Sequence, residues 1–147
     1  MVLTFCGHSN CFEDRDYVSE IYKVLENNLS INEEVTFLLG DYGMFDRYAR
    51  RSCYDYKKLN NKVKVIFVSP YSDDRYIKKR EADLDYDEII TPEINCLPKF
   101  RLIKRNQYMV DKSDLIISYV NYPFGGSFKT LKYAKHSGKK IINLGKL

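Results

Sequence analysis

The segment DLIISYVNYPFGGSFKTLKYAKHSG, residues 114–138, decides the fold. An apolar run over 114–120 leads into the glycine-rich stretch NYPFGGSFKT (Asn121–Thr130), and an amphipathic run follows over 130–138. This order predicts a strand, a tight turn and a helix. Two adjacent glycines, Gly125 and Gly126, let the backbone turn tightly and leave amide N–H groups uncovered. Because the next helix directs its unpaired N–H groups and positive dipole end at the same space, the turn suits a phosphate or another anion.

Strand-like and helix-like stretches alternate along the rest of the chain. Strands are predicted over 2–6, 35–39, 63–68, 115–120 and 140–144, and helices over 13–29, 45–56, 99–112 and 128–136. The stretch 72–97 is the least regular, with a short helix predicted over 75–82 and a brief strand over 88–91. Short β-branched strands between amphipathic helices are typical of a parallel sheet covered on both faces. We therefore predict a single doubly wound α/β domain, 1–147, with about five main parallel strands, helices on both faces and 72–97 as an irregular insert.

Composition and charge limit the class of protein. With 44% hydrophobic and 30% charged residues, the chain fits a soluble globular protein with no membrane partner. The start MVLTFCGHSN has no basic region and too short an apolar stretch for a signal peptide, so we expect a cytoplasmic protein. Cys6, His8 and Cys11 lack a fourth ligand at a natural spacing, so neither a metal nor a cofactor is expected. A net charge of +4 mildly favours anionic ligands and makes nucleic acid an unlikely partner.

Three loops that follow predicted strands are rich in glycine and polar residues: 7–10 (GHSN), 40–43 (GDYG) and 122–127 (YPFGGS). In a parallel sheet all three lie along the edge where doubly wound sheets bind their ligands. Neither GxGxxG nor GxxxxGK[ST] is present, which disfavours ordinary NAD-type and P-loop sites. The expected ligand contacts are Gly7, His8, Gly40, Asp41, Gly43, Gly125, Gly126, Ser127, Lys129 and Thr130.

The helix predicted over 99–112 adds positive charge near this edge. Arg101 and Arg105 are four residues apart and therefore share one side of the helix, whereas Ile103 and Val110 lie on a different side. A guanidinium group matches a phosphate or carboxylate with two parallel hydrogen bonds. Both arginines are therefore predicted ligand contacts.

Four stretches resemble the SLOG superfamily, and most closely its small YpsA-like branch: TFCGHSN, FLLGDYGMFDRYA, VIFVSPY and KRNQYMVDKSDLIISYVNYPFGGSFKTLKYAKHSGKKIINL. The superfamily consists of Rossmann-like domains related to the lonely-guy phosphoribohydrolases and to DNA-processing protein A. The stretches cover most of the chain and leave 72–97 unmatched. This resemblance implies a Rossmann-like fold and a nucleotide-derived ligand at the carboxyl edge of the strands, and it is compatible with a homodimer.

The hydrolase motifs of that superfamily are only partly present. An RKxxM-like segment corresponds to 105–109, with Arg105 kept and Asn106 in place of the usual lysine. The PGGxGTxxE motif is one residue longer here and has Tyr133 in place of the glutamate. Because glycosidic cleavage needs a carboxylate to stabilise an oxocarbenium-like state or to activate water, Asp46, or next Asp41, would have to replace it. Either carboxylate can instead cap a helix or bind a ribose hydroxyl.

Three functions remain open from the sequence. The first is a sensor or binding domain for a nucleotide-derived small molecule, because the anion-binding turn is present and the catalytic glutamate is not. The second is a nucleotide N-glycosidase, with Arg105 and Asp46 as the candidate catalytic residues. The third is single-stranded DNA binding, which the lysine-rich stretch 132–140 permits and the modest net charge disfavours. His8 is open to ligand contact, general-base catalysis or a role in the turn.

Overall fold

The computed structural model describes residues 1–83 and 85–147. Its strands are β1 (Val2–Gly7), β2 (Val35–Leu39), β3 (Val63–Val68), β4 (Glu88–Ile90), β5 (Leu115–Tyr119) and β6 (Lys140–Asn143). Its α-helices are α1 (Tyr17–Asn28), α2 (Met44–Lys57), α3 (Asp74–Asp83), α4 (Arg101–Lys112) and α5 (Gly126–His136). A 3-10 turn over Pro98–Phe100 precedes α4. None of the helices in these two ranges is long and apolar enough to cross a membrane.

The strands form one parallel sheet in the order β4-β3-β2-β1-β5-β6. The chain moves outward from β1 through β2 and β3 to β4, and then returns to the other side of β1 with β5. The direction of winding therefore reverses between β1 and β5, which is where such sheets bind ligands. The predicted doubly wound α/β fold is confirmed, and the brief strand predicted near residue 88 is the short edge strand β4.

The two faces of the sheet have separate hydrophobic cores. Along β5, Ile117 belongs to the core that α1 and α2 cover, and its neighbour Ile116 belongs to the core beneath α4 and α5. This alternation follows from the two-residue period of a strand, which directs successive side chains to opposite faces. Because both faces are covered, the central strands are mainly apolar, and helices on both faces are confirmed.

The predicted insert, 72–97, has more regular structure than its sequence indicates. Its short helix and brief strand are present as α3 and β4. Arg80 of α3 lies 5.3 Å from the ring centroid of Phe67 in β3, and the rings of Phe67 and Tyr86 stack with centroids 5.2 Å apart. These contacts attach the insert to the edge of the sheet that β3 and β4 form.

Candidate functional site

A cavity of about 460 Å³ lies at the carboxyl edge of the sheet, near the reversal between β1 and β5. This volume falls within the range typical of small-ligand sites. Its lining comes from β1 and the loops after β1, β2 and β5, and from α2, α5 and the start of α4: Phe5, Cys6, Gly7, His8, Ser9, Asn10, Tyr42, Asp46, Lys99, Leu102, Ile103, Arg105, Asn106, Tyr122, Phe124, Gly125, Gly126, Ser127 and Thr130.

The N-terminus of α5, which we call the α5 turn (Gly125–Phe128), opens into this cavity. Gly125 has φ 91° and ψ 176°, and the first helical bond runs from the amide of Lys129 to its carbonyl. Within the described residues, no side chain caps the helix, and a Cβ added at Gly125 or Gly126 meets no atom within 4 Å. The amides of the α5 turn are therefore free to bind an anion at the positive end of the helix dipole.

The N-terminus of α2, which we call the α2 turn (Gly43–Asp46), also begins at a glycine with an extended ψ and a positive φ. Its first amides, however, have hydrogen-bond partners. Gly43 has φ 93° and ψ −178°. The amide of Met44 donates to the carbonyl of Ser9 at 2.9 Å, and the amide of Phe45 donates to the carbonyl of His8 at 3.4 Å. The loop after β1 thus occupies the amides of Met44 and Phe45, whereas the first amides of α5 have no such partner among the described residues.

Arg105 supplies a buried positive charge to the cavity. Its residue surface is only 2% exposed. Nη1 donates to the carbonyl oxygens of Gly40 at 3.1 Å and Val68 at 2.8 Å, and Nε donates to Oδ1 of Asn106 at 2.9 Å. Burial lowers the pKa of Arg105, and the nearby Asp46 acts in the opposite direction. The group stays cationic, because its ordinary pKa lies far above neutrality.

Asp46, in the first turn of α2, places a carboxyl group in the same cavity. Its Oδ2 accepts a hydrogen bond from the amide of Tyr42 at 2.9 Å. Burial raises the pKa of Asp46 to about 7, although the Tyr42 amide and Arg105 both favour the ionised form. Near neutral pH this carboxyl group can therefore either donate or accept a proton.

His8 lies between the two strands at the reversal and is 7% exposed. The amide of Asn121 donates to Nε2 at 2.9 Å, and Nδ1 lies 3.0 Å from Oγ of Ser127. Burial lowers the pKa of His8, which favours the neutral imidazole at physiological pH. The ring therefore connects the end of β5 to the first turn of α5.

Aromatic rings continue outward from His8 toward solvent. Tyr122 stacks on the imidazole with ring centroids 4.3 Å apart and planes 13° apart, and Phe124 stacks on Tyr122 at 4.3 Å and 26°. Phe124 is 65% exposed, and the exposed Tyr42 also lines the cavity. These rings were not among the predicted site residues, although the sequence YPFGG places two of them directly before the glycine pair.

Most of the predicted site residues line the cavity. They are Gly7, His8, Asp46, Arg105, Gly125, Gly126, Ser127 and Thr130. The remaining predicted residues do not belong to its lining: Gly40, Asp41, Gly43, Arg101 and Lys129.

Asp41 is the clearest departure from the expected site. Its backbone has φ 50°, and its buried carboxylate accepts hydrogen bonds from Arg50 at 2.6 Å and 2.5 Å, from Arg80 at 3.4 Å and from the hydroxyl of Tyr86. These partners satisfy the charge away from the cavity. Asp41 therefore attaches the 72–97 insert to the end of β2 and does not belong to the cavity lining.

The two arginines of α4 also differ. Arg105 is buried beneath the cavity, whereas Arg101 is half-buried and donates to the carbonyl of Pro70 at 3.4 Å. The helix buries Arg105 together with Met109 and Val110, so the side of the helix that carries the two arginines is only partly exposed. A charged residue that is paired with main-chain carbonyls can lie on the buried side of a helix.

Asn106, which stands at the usual lysine position of the superfamily motif, links two parts of the site. Its Oδ1 accepts from Arg105, and its Nδ2 donates to Oγ1 of Thr130 at 3.4 Å. Thr130 in turn donates its hydroxyl proton to the carbonyl of Gly126 at 3.2 Å. The Thr130 proton is therefore already used within the helix, and Asn106 holds α4 against α5 beside the cavity.

Comparisons with known proteins agree with this fold. No protein-family profile and no curated protein matches the sequence. The chain is similar to the X-ray structure of DNA processing protein A (DprA) from Streptococcus pneumoniae, with a TM-score of 0.64 and 15% sequence identity over 96% of this chain and 49% of that one. The chain thus spans about half the length of that protein. The predicted DprA-like Rossmann fold is confirmed, and membership of the YpsA-like branch stays a prediction.

Proposed function

We propose that the protein binds a nucleotide or a nucleotide-derived small molecule, with a phosphate group at the α5 turn. The observation that supports this most directly is the set of uncapped α5 amides that open into the cavity lined by Arg105. Backbone N–H groups, a helix dipole and a guanidinium group all favour a phosphate dianion. Within the described residues, none of the salt bridges involves Arg105, so its charge is available to a ligand.

The other lining residues favour a nucleotide over a simple anion. Tyr42, Tyr122 and Phe124 present aromatic rings, and Leu102 and Ile103 add apolar surface. Nucleobases stack on aromatic side chains, with about 1–3 kcal/mol per base. A cavity of about 460 Å³ that is lined by both polar groups and aromatic rings suits a mononucleotide.

Hydrolysis of the ligand is a second candidate function, and the position of Asp46 favours it. Its carboxyl group, with a pKa of about 7, lines the same cavity as Arg105. Such a group could protonate a leaving base or stabilise an oxocarbenium-like state. Tyr133, which replaces the motif glutamate, instead donates its hydroxyl to Asp111 at 2.7 Å. In this proposal Asp46 takes the place of the missing glutamate.

Binding is tested by calorimetry against inorganic phosphate, the nucleoside 5′-monophosphates, ADP-ribose and an oligothymidylate. We expect mononucleotides to bind and Ser127→Ala to weaken binding about tenfold. Ser137→Ala is the matched control, because Ser137 lies at the other end of α5 and donates to the carbonyl of Tyr133. Absence of binding across the panel would contradict the proposal. Salt-dependent binding of the oligothymidylate alone would instead support DNA binding, in line with the name of the structural neighbour.

Hydrolysis is tested by chromatography of the free base released from each mononucleotide that binds. Turnover that Asp46→Asn abolishes, with binding retained, would establish the second candidate function. Clear binding with no base release would leave a sensor or binding domain. Arg105→Ala serves as the comparison variant, because it is expected to weaken both binding and any turnover.

A further inference from the structure

The hydrogen bonds around His8 determine which of its nitrogen atoms bears the proton. Nε2 lies 2.9 Å from the backbone nitrogen of Asn121, and a backbone N–H can only donate. Nε2 must therefore accept, and it cannot carry a proton of its own. A neutral imidazole has one proton, so in His8 that proton lies on Nδ1.

The same reasoning extends to the hydroxyl group of Ser127. Nδ1 of His8 lies 3.0 Å from Oγ of Ser127, and with its proton in place it donates to that oxygen. Ser127 is thus an acceptor toward His8, and its own hydroxyl proton must point elsewhere. This arrangement is incompatible with a nucleophile and base pair, because Nδ1 has no lone pair free to take the serine proton.

Two other hydroxyl groups in or directly after α5 donate their protons to carbonyls of the helix. Thr130 donates to the carbonyl of Gly126 at 3.2 Å, and Ser137 donates to that of Tyr133 at 2.9 Å, each four residues back. Ser127 lies in the first turn, where the residue four back precedes the helix. Among the hydrogen bonds of the described residues, that with His8 is the only one made by its hydroxyl. Since Ser127 lines the cavity, its proton is directed into that space.

We propose that His8 is a positioning residue that fixes Ser127 as a hydroxyl donor to the phosphoryl group of the ligand. This inference rests on the proposed function, because it assigns one contact within that site. The hydroxyl adds a side-chain donor to the α5 amides and to Arg105, which line the same cavity. The preferred ligand chemistry is therefore a terminal phosphate dianion, which has only acceptor oxygens.

The first test is the tautomer of His8 in the protein without a ligand. The chain has two histidines, so ¹⁵N-labelled protein gives two imidazole spin systems, and the exposed His136 is assigned with His136→Gln. We expect a protonated Nδ1 and an unprotonated Nε2 for His8. A proton on Nε2 would overturn the inference whether or not any ligand binds.

The second test uses two amides that imitate different halves of the imidazole ring. In His8→Asn the side-chain nitrogen can occupy the place of Nδ1 and donate to Ser127, whereas in His8→Gln the amide reaches the place of Nε2 and leaves Ser127 without its partner. With AMP as the probe, we expect about a tenfold loss of affinity for His8→Gln and for Ser127→Ala. His8→Asn should lose no more than about threefold.

A double-mutant cycle separates positioning from a general structural effect. If His8 acts through Ser127, then His8→Gln adds no further loss of AMP affinity to Ser127→Ala. Additive losses, or an equal loss in His8→Asn and His8→Gln, would overturn the inference. Covalent labelling of Ser127 by a fluorophosphonate would also overturn it, because that reaction needs a base at Nδ1.

The outcomes distinguish this inference from the proposed function. If the unmodified chain binds no member of the phosphate and nucleotide panel, both fail. If AMP binds and the cycle is additive, the proposed function stands and only the role of His8 is rejected. Urea unfolding of each variant shows whether a lost affinity merely reflects a lost fold.

Discussion

Helices α2 and α5 follow strands of the same sheet, and each begins at a glycine with nearly the same backbone angles. Gly43 has φ 93° and ψ −178°, and Gly125 has φ 91° and ψ 176°. At α2 the carbonyls of Ser9 and His8 accept hydrogen bonds from the first amides, whereas the amides of the α5 turn open into the cavity. Similar local geometry has thus produced one closed and one open helix terminus. The difference comes from the loop after β1, which covers one of them.

The position of β1 explains why the loop after it makes different contacts with the α2 turn and the α5 turn. β1 pairs with both β2 and β5, so the loop that follows it lies between α2 and α5. Its backbone carbonyls contact the α2 turn, and the side chain of His8 contacts Ser127 of the α5 turn. The α2 turn thereby becomes part of the packed structure, and the amides of the α5 turn stay open to the cavity.

The largest expected effect comes from replacing the glycine that precedes each helix, Gly43 or Gly125, with alanine. Both backbones have a φ that disfavours a side chain, which costs about 1–3 kcal/mol. At Gly43 the new Cβ would also lie 2.6 Å from Cα of Ser9, which adds about 1–3 kcal/mol of overpacking. We therefore expect Gly43→Ala to lower the free energy of unfolding more than Gly125→Ala does. Equal losses in urea unfolding would show that the α2 turn is not closed by Ser9.

A proline at the first residue of each helix distinguishes an effect on stability from an effect on ligand affinity. Met44→Pro removes the hydrogen bond to Ser9 and presses the ring against that carbonyl, so we expect a loss of about 2–4 kcal/mol. Gly126→Pro removes an amide proton that has no acceptor in the described ranges, and proline suits this helical position. Its stability should change by no more than about 0.5 kcal/mol, while AMP affinity falls at least about tenfold.

The matched control for the first proline is Met44→Ala, which removes the partly buried side chain and keeps the amide. Stability is read from urea unfolding and affinity from calorimetry. Gly126→Pro with unchanged AMP affinity would mean that the α5 amides do not bind the phosphate.

Asp46 gives the stability of the α2 turn a pH dependence. Its pKa in the folded protein, about 7, lies above its ordinary value, so between about pH 4 and 7 the folded state binds more protons than the unfolded state. Stability from this group is complete at low pH and is lost as the pH rises through 7. We therefore compare the free energy of unfolding of Asp46→Asn with that of the unmodified protein at each pH. The difference should favour the variant by about 1–2 kcal/mol more at pH 8 than at pH 4, after allowance for solvent screening.

The measurement is urea unfolding of both proteins at several pH values between 4 and 8. The asparagine oxygen can still accept from the amide of Tyr42, so the variant changes the charge and little else. Parallel stability profiles for the two proteins would contradict the raised pKa.

The smallest expected effect concerns the rim of the cavity. Lys99 lines it, whereas Lys104 of α4 is exposed outside it. Lys99→Ala should weaken AMP binding about two- to threefold at low salt and scarcely at all at high salt, because exposed charges are screened. Lys104→Ala is the control and should leave affinity unchanged. If Lys99→Ala had a larger effect than Gly126→Pro, rim charge rather than the α5 amides would dominate binding.

Local sequence patterns were sufficient to predict most of the fold. The runs VKVIFV (63–68) and LIISYV (115–120) are β-branched and end at turn residues, so their strands were placed to within one residue. The turn at Gly125–Gly126 and the helix after it were predicted for the same reason. These elements depend mainly on neighbours in the sequence.

The features that were missed depend on partners distant in the sequence. Arg105 is buried because the carbonyls of Gly40 and Val68, 65 and 37 residues away, accept its hydrogen bonds. Ser9 closes the α2 turn with a carbonyl group, which every residue type possesses. Helical periodicity gives no information on either partnership, so the sequence indicated where the edge of the sheet lies but not which groups face it.

The proton arrangement at His8 depends on the main chain of Asn121 and not on its side chain. Nineteen of the twenty amino acids provide the same N–H group at that position, and only proline does not. The asparagine side chain has a separate contact, since its Oδ1 accepts from the amide of Lys146. Most substitutions at position 121 should therefore keep the proton of His8 on Nδ1. In a library of substitutions there, proline should be the one that removes the hydrogen bond to Nε2.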